Sequence, residues 1–291
     1  MANGIISIDK PADWTSQDVT AKLRGVFATR RVGHGGTLDP MATGVLPVFV
    51  GRATRAVEFF TEARKEYIAT LRLGLVTDTQ DMTGRILEES GENPGKEAVE
   101  SALPRFCGKQ QQIPPMYSAI KVGGKKLYEL ARSGKEVERA ARDIEIFSLE
   151  LLEAQGSDYT IRAACSKGTY IRTLCHDIGA FLGCGGTMAA LRRTQAGAYT
   201  LDQAVPLSRL LEEKKQGMDV ERYLLPVDSL FLEYPALSLT PAQEKCARNG
   251  AAFSLPGQEQ TLRLYGGDGT FLALARREQG VVKTIKNFFE V

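Results

Sequence analysis

A single carboxylate, that of Asp39, lies in a glycine-rich loop where it could act on a bound ligand. The loop covers residues 33–44, and Pro40 confines the residue before it to extended backbone, which fixes the direction of the Asp39 side chain. Glycines let a ligand approach closely, and a carboxylate held in this way can serve as a nucleophile or a base. The alternative is an Asp-Pro turn with structural glycines. A Walker phosphate-binding loop does not fit, because the GK[ST] element is missing.

A second feature is a basic segment in the middle of the chain. The whole chain has a net charge of only +2, yet residues 105–142 contain nine basic and three acidic residues, a net charge of +6. Pro114-Pro115 and Gly123-Gly124 interrupt this segment, which favours a projecting hairpin or loop. It is either a solvated surface hairpin or an arm that binds a phosphate backbone.

The composition argues against a metal site and against membrane insertion. The five cysteines include no CxxC pair, so we expect reduced thiols, and only His34 and His176 could join them as metal ligands. The chain reaches Asp9 and Lys10 before a long apolar run can form. No stretch approaches the roughly 18 to 20 uncharged residues of a membrane span. These features predict a soluble, cytoplasmic protein without a metal.

Hydrophobic periodicity predicts the elements that must position the loop. Residues 4–8 form a strand and residues 15–27 a helix, with Thr15 as N-cap and Asp18 three residues later. After the loop, the apolar run LPVFVG predicts a buried strand, and alternation over residues 67–73 predicts a half-buried one. Further predictions are a helix through Val99, Leu103 and Phe106, strands at 144–152 and 159–164, a helix opened by SKGTY with Leu174, Ile178 and Phe181 on its apolar face, and a surface helix or connector at 208–217.

The motifs along the chain resemble those of one enzyme family, in the family's order. GHGGTLDPMATGVLPVFVG, at residues 33–51, is similar to the signature of the TruB family of pseudouridine synthases. GIISIDKPADWTS resembles the first family motif, and EYIATLRLGLVTDTQDMTG resembles the tyrosine strand with its acidic loop. IPPMYSAIKVGGKKLYELAR is similar to the RNA-binding segment, while SKGTYIRTLCHDIG and LRRTQAGAY resemble later motifs. The matches are collinear from residue 4 to about residue 200.

The resemblance implies an isomerase that detaches uracil from C1′ of ribose, turns the ring and rejoins it through carbon, without a cofactor. Asp39 corresponds to the essential aspartate, which could attack C1′, stabilise an oxocarbenium-like state or remove the 2′ proton. Arg172 corresponds to the arginine that pairs with this aspartate, although alone it could be a helix-surface charge. Tyr67 corresponds to the tyrosine that lies against the target base, although a strand tyrosine also suits an ordinary core position.

Five further residues are expected to bind the substrate or to border its site. His34 corresponds to a histidine that contacts RNA at the flipped nucleotide, or else it packs within its own turn. Asp81 borders the pocket or caps a turn. Leu191 belongs to the later motif LRRTQAGAY and is expected near the substrate. Lys10 is expected to support the active-site loop, and Lys167 either contacts a phosphate or is solvated.

The resemblance also implies the fold and the substrate. We expect an α+β pseudouridine synthase fold with a mixed, mainly antiparallel sheet over residues 1–232, including an RNA-binding insertion at about 105–142. A small PUA-like β-barrel is expected at 233–291, where short apolar runs recur between turn residues. The expected substrate is uridine 55 in the T-loop of tRNA, extruded from the base stack. No cofactor, guide RNA or membrane is expected, and the protein would be a monomer. One departure from the family is Gly35, where threonine is common.

Three other functions are compatible with the sequence. An RNA-binding or RNA-folding role could outweigh modification. The chain could instead be the catalytic subunit of a guide-RNA particle, although lysine-rich tails are missing from its sequence. A glycosidase-type hydrolase would require a second carboxylate and a water molecule, and Asp81 is the nearby candidate for that carboxylate.

Overall fold

The computed structural model describes residues 2–289, and most of the strands belong to two sheets. In chain order the strands are β1 (Gly4–Lys10), β2 (Val32–His34), β3 (Thr43–Val50), β4 (Lys65–Leu73), β5 (Leu75–Thr77), β6 (Ile86–Glu89), β7 (Gly108–Gln112), β8 (Lys121–Val122), β9 (Lys125–Lys126), β10 (Arg142–Gln155), β11 (Asp158–Cys165), β12 (Gly186–Ala196), β13 (Tyr199–Thr200), β14 (Val205–Pro206), β15 (Ala236–Ser238), β16 (Phe253–Ser254), β17 (Gln260–Tyr265), β18 (Phe271–Glu278) and β19 (Val281–Asn287). The α-helices are α1 (Ser16–Val26), α2 (Val57–Phe60), α3 (Lys96–Ala102), α4 (Leu127–Arg132), α5 (Ile171–Phe181), α6 (Leu207–Lys215) and α7 (Pro241–Arg248). Short 3-10 helices occupy Gly51–Ala56, Leu103–Phe106, Leu201–Gln203, Glu221–Tyr223 and Val227–Phe231.

The large sheet has ten strands and a mixed topology. Its main path runs β14-β1-β3-β12-β4-β11-β10-β7, with β2 paired to β3 and β13 paired to β12. The pairs β1/β14 and β3/β12 are parallel, and the other pairs of this sheet are antiparallel. The prediction of an α+β fold with a mixed, mainly antiparallel sheet is confirmed.

Local sequence signals explain the elements next to the Asp39 loop. The amide of Asp18 donates to the Thr15 hydroxyl at 3.0 Å, and the Asp18 carboxylate accepts the Thr15 amide at 2.9 Å. This capping box begins α1 where the sequence predicts, because it satisfies backbone donors that lack helical partners. In β4, every second residue is buried, from Lys65 to Leu73. The alternation places one face of β4 in the core.

The end of α5 differs from the prediction. Leu174 and Ile178 are buried as expected, but Phe181 is 51% exposed. Its ring packs edge-on against that of Phe106, with 6.0 Å between centroids, and the Arg105 guanidinium lies 5.1 Å from its centroid. Phe181 is the last residue of the helix, so its side chain extends past the core and rests on the neighbouring 3-10 helix.

The basic segment at 105–142 divides between the sheet and a projecting part. Strand β7 pairs with β10 at the edge of the large sheet, so residues 108–112 belong to the sheet. Residues 113–141, which we call the arm, contain the β8–β9 hairpin and α4, and most of their side chains are partly or fully exposed. The hairpin turns at Gly123-Gly124, where both glycines have positive φ.

The second sheet has five strands in the order β15-β17-β18-β19-β16. Its edge strands β15 and β16 do not pair with each other within residues 2–289, so the sheet is a half-barrel, consistent with the predicted PUA-like domain. The predicted boundary at residue 233 falls just before β15. The half-barrel packs on the large sheet through a shared core, in which the rings of Phe231 and Phe288 lie 5.9 Å apart.

Candidate active site

Asp39 and Arg172, which are far apart in the sequence, form an ion pair. Nε of Arg172 lies 3.0 Å from Oδ2 of Asp39, and Nη2 lies 3.3 Å from Oδ1. The Arg172 side chain is 5% exposed, whereas the Asp39 side chain is 35% exposed. A two-point contact fixes both the position and the rotation of a carboxylate. The carboxylate is therefore held in place while a ligand can still reach it.

The guanidinium of Arg172 is itself fixed by the acidic loop, residues 77–84, and by the arm. Nη1 donates to the Thr79 carbonyl at 3.1 Å, and Nη2 donates to the Tyr117 carbonyl at 2.9 Å. Nε lies 3.8 Å from Oδ2 of Asp81, whose side chain is buried. The other oxygen of Asp81 accepts hydrogen bonds from the Thr79 hydroxyl at 2.8 Å and from the Thr83 amide at 2.9 Å. Asp81 therefore caps a turn and also borders the site.

The acidic loop is held against β12 and α5. Met82 donates its amide to the Met188 carbonyl at 3.2 Å, and Met188 donates its own to the Gln80 carbonyl at 3.0 Å. Gln80 has a φ of 61°, which costs energy in a residue other than glycine. Its side-chain oxygen accepts a hydrogen bond from the Thr173 hydroxyl at 2.8 Å, one turn into α5. These contacts fix the position of the acidic loop beside the Arg172 guanidinium.

Lys10 and Ser16 hold the loop that carries Asp39. Nζ of Lys10, which is fully buried, donates to three backbone carbonyls at 2.6 to 3.1 Å, including that of Pro40. Burial lowers the pKa of Lys10 to about 8, and the Asp39 charge partly opposes this shift. The Ser16 hydroxyl accepts the Leu38 amide at 2.8 Å. The structure thus places the Lys10 ammonium in contact with the loop that carries Asp39, where it is buried from solvent.

Tyr67 and Leu191 lie on one face of the large sheet. Tyr67 on β4 is opposite Arg193 on β12, and Ala69 is opposite Leu191, so the four side chains share a face. Tyr67 and Leu191 are both buried. Burial raises the pKa of the Tyr67 phenol, while the charge of Arg193 opposes the rise. The phenol is therefore protonated near neutral pH.

Sequence reasoning does not single out Arg193, which is 1% exposed. Its Nε donates to the Val45 carbonyl at 2.6 Å, Nη2 to the Gly36 carbonyl at 3.1 Å, and Nη1 to the Thr37 carbonyl at 3.5 Å. The signal available in the sequence is the pair Arg192-Arg193 in a strand, because adjacent strand residues point to opposite faces. One of two neighbouring arginines must then point inwards.

His34 and Lys167 make no hydrogen bond or ion pair with Asp39 or Arg172 among those found in residues 2–289. Burial and the charge of Arg193 lower the pKa of His34, so its imidazole is neutral at pH 7. Its Nδ1 is buried and has no hydrogen-bond partner in the described residues. Lys167 is exposed and pairs with Glu62. Its position in this structure agrees with the solvated interpretation.

Gly35, where the resemblance leads us to expect threonine, lies against two aromatic rings. A Cβ atom at this position would lie 2.4 Å from Cδ1 of Phe60 and 3.0 Å from Cε2 of Phe49. The same Phe60 ring also lies against Gly197, where a Cβ would approach it to 2.7 Å. Phe60 thus occupies the space that a threonine at position 35 would need.

Asp39 lines neither of two cavities found elsewhere in the molecule. One, of about 750 Å³, lies between residues 54–58 and β19, and the other, of about 520 Å³, lies between α1 and α6. Across residues 2–289, no three His, Cys, Asp or Glu side chains are grouped so that they could hold a metal ion. Nor does any helix in that range have the length and apolar character needed to cross a membrane.

Comparison with known proteins identifies the family. Residues 24–171 match the model described as TruB family pseudouridylate synthase (N terminal domain), and residues 172–232 match tRNA pseudouridylate synthase B C-terminal domain. A protein of Syntrophomonas wolfei subsp. wolfei named tRNA pseudouridine synthase B is 46% identical over 280 residues, covering 94% of this chain and 93% of that protein. A protein of the same name from Francisella tularensis subsp. novicida is 42% identical over 291 residues, covering 99% of this chain and 95% of that protein.

A solved structure agrees with the fold. The chain superimposes on a chain of the structure titled "Crystal Structure of a Cbf5-Nop10-Gar1 Complex" with a TM-score of 0.74 and 25% identity, covering 98% of this chain and 85% of that chain. The ion pair joins the two matched regions, since Asp39 lies in the first and Arg172 begins the second. The family matches and the two relatives, which span nearly the whole chain, show that it belongs to the TruB family of tRNA pseudouridine synthases, which are isomerases.

Proposed function

We propose that this chain converts uridine 55 in the T-loop of tRNA to pseudouridine after the nucleotide has left the base stack. The observation that supports the proposal is the Asp39 carboxylate, held at two points by Arg172 and accessible to solvent. The reaction breaks the bond between uracil and C1′ and forms a new carbon-carbon bond to the same atom. It consumes no water or redox agent, so one positioned carboxylate can suffice.

The other side chains suit the parts of a flipped uridine. Asp39 acts at the ribose, and Arg172 keeps its carboxylate in one orientation. Tyr67 offers an aromatic ring and a protonated hydroxyl to the base, and Leu191 offers an apolar contact on the same face of the sheet. His34, with a neutral imidazole, can stack on a nucleotide without attracting its phosphate.

In this proposal the arm binds the phosphate backbone of the tRNA. Lys121, Lys125 and Lys135 are exposed on it, and the carbonyl of Tyr117 at its base accepts a hydrogen bond from Arg172. Backbone contacts of this kind can offset the few kcal/mol that nucleotide extrusion costs. The half-barrel supplies a second RNA contact in this proposal. The protein acts as a monomer in the cytoplasm, and the five unpaired cysteines suit that reducing compartment.

The test is incubation of the purified chain with an unmodified tRNA transcript, without guide RNA or other proteins. We expect pseudouridine at position 55 with the wild type and none with Asp39→Asn, while the affinity for the transcript stays within a few-fold. Asp158→Asn is the matched control, because Asp158 pairs with Arg72 at the far end of β4. A transcript with cytidine at position 55 should stay unmodified.

Other outcomes would identify a rival function. Pseudouridine at another position would contradict the T-loop assignment, and activity only after addition of a guide RNA would indicate a guide-dependent particle. Release of free uracil would indicate hydrolysis. In a strain that lacks the gene, full rescue by Asp39→Asn would show that RNA folding outweighs modification.

A further inference from the structure

We propose that Arg193 is a positioning residue that sets the distance between the Asp39 loop and the Tyr67 side chain through a single guanidinium. The proposal rests on the proposed function, in which the ribose lies at Asp39 and the base lies at Tyr67. Arg193 itself is too deeply buried to touch the substrate. Its effect must therefore pass through the groups that it binds.

The Arg193 guanidinium joins the two ends of the loop. Gly36 and Thr37 precede Asp39 in the chain, and Val45 follows it, yet all three carbonyls accept hydrogen bonds from Arg193. The segment between them carries the carboxylate. A loop whose two ends are tied to one rigid planar group has little freedom to move its centre.

Arg193 is also the cross-strand neighbour of Tyr67. The two residues are directly opposite each other on β4 and β12, and the charge of Arg193 is near enough to the phenol to oppose the rise in the phenol pKa that burial causes. A guanidinium in this position can donate to a phenol oxygen but cannot accept from it. Arg193 is thus the direct neighbour of Tyr67 while its N–H groups hold the loop.

The strand that carries Arg193 is also in close contact with the end of the loop. Arg193 is opposite Gly44 in the parallel pair of β12 and β3, and a Cβ at Gly44 would lie 2.2 Å from the Arg193 carbonyl. Gly44 has a φ of 101°, which favours glycine. The backbone of Arg193 therefore packs on the loop as closely as its side chain does.

The partners of Arg193 also explain why lysine should not replace it. None of the ion pairs found within residues 2–289 joins a carboxylate to Arg193, and its hydrogen bonds go to backbone carbonyls. An ammonium is a compact point charge on a flexible stem and cannot present several N–H groups in one plane. Charge alone would leave carbonyls of the loop without their donors.

The test compares Arg193→Lys and Arg193→Met with the wild type and with Arg72→Lys, an arginine on the same sheet that pairs with Asp158. Single-turnover rates of pseudouridine formation are measured on a tRNA transcript, with affinity and thermal unfolding in parallel. We expect both Arg193 variants to lose about 10²-fold in rate, because a displacement of about 1 Å can have that effect. Affinity should change by less than a few-fold, and Arg72→Lys should resemble the wild type.

A double-mutant cycle with Tyr67→Phe separates positioning from stability alone. If Arg193 acts partly through the phenol oxygen, Arg193→Lys should lower the rate less in the Tyr67→Phe background than in the wild type. Equal losses in both backgrounds, a wild-type rate in Arg193→Lys, or failure of both Arg193 variants to fold would each overturn the positioning role. An inactive wild type would contradict the proposed function instead.

Discussion

Two buried arginines contact the segment that carries Asp39, and only one of them pairs with a carboxylate. Arg172 pairs with the Asp39 carboxylate and lies 3.8 Å from that of Asp81, in addition to its two hydrogen bonds to carbonyls. Arg193 donates to backbone carbonyls on both sides of Asp39 and is the cross-strand neighbour of Tyr67. The first arginine acts on the reacting group, whereas the second acts on the backbone that carries it.

The comparison shows how one residue type can serve two purposes at one site. Where the partner is a carboxylate, charge and geometry both contribute, and a substitute that keeps the charge should keep part of the effect. Where the partners are carbonyls, the fixed directions of the N–H groups matter most. Replacement by lysine should therefore distinguish the roles of Arg172 and Arg193 more clearly than replacement by an uncharged residue.

The largest expected effect is the loss of Arg172. We expect Arg172→Met to lower the single-turnover rate by about 10³-fold, since it removes the charge and the two-point contact that orient Asp39. Arg172→Lys should recover about tenfold of this loss, because an ammonium can still pair with the carboxylate. The same exchange at position 193 should recover nothing. Recovery by lysine at 193 but not at 172 would reverse the assignment of the two roles.

Lys10 extends the comparison, because it is a third buried cation on the loop and can lose its charge. Burial lowers its pKa from 10.5 to about 8. Between these values the unfolded chain binds more protons than the folded one, so the free energy of unfolding rises with pH. The shift corresponds to about 3 kcal/mol, so wild type should gain up to that amount relative to Lys10→Met between pH 7 and pH 11. Urea denaturation at several pH values measures this, and parallel curves for the two proteins would contradict it.

Substitution of Asp81 tests whether the action of Arg172 on Asp39 depends on a second nearby carboxylate. Asp81→Asn keeps an oxygen that can accept from the Thr83 amide but removes the charge 3.8 Å from Nε of Arg172. We expect about a tenfold lower single-turnover rate, equivalent to about 1.4 kcal/mol, with little change in thermal stability. Asp78→Asn is the matched control, because Asp78 accepts the Arg85 amide within the same loop. Equal effects of the two substitutions would assign Asp81 to the turn alone.

Much of the site can be predicted from the sequence, because its signals are local. The Thr15 capping box begins α1 at the predicted residue, and the alternation in β4 places Tyr67 on the buried face. The pairing of Asp39 with Arg172 follows from motif resemblance, and the structure brings the two side chains into contact. Asp81 fits both interpretations that its motif allows.

The rest depends on contacts that no local pattern contains. Alternation indicates that either Arg192 or Arg193 points inwards but not which one, since β12 has register shifts next to Met188 and next to Arg193 that change the parity of its faces. The sheet pairing of β7 is likewise non-local, so the sequence does not reveal that residues 108–112 of the basic segment belong to the large sheet. Lys167 lies in a matching motif, yet its side chain pairs with Glu62 at the surface.

The smallest expected effect concerns Gly35, where the resemblance to the family leads us to expect threonine. A Cβ there would approach the Phe60 ring to 2.4 Å, so we expect Gly35→Thr to lower the free energy of unfolding by about 2 kcal/mol through overpacking. Phe60→Leu alone should also be destabilising, because the ring packs against those of Phe49 and Tyr199. In the double variant each change relieves the other, so its loss of stability in urea denaturation should be smaller than the sum of the two single losses. Additive losses would show that position 35 and Phe60 are not coupled, and the aromatic ring would then not be what excludes a larger residue at position 35.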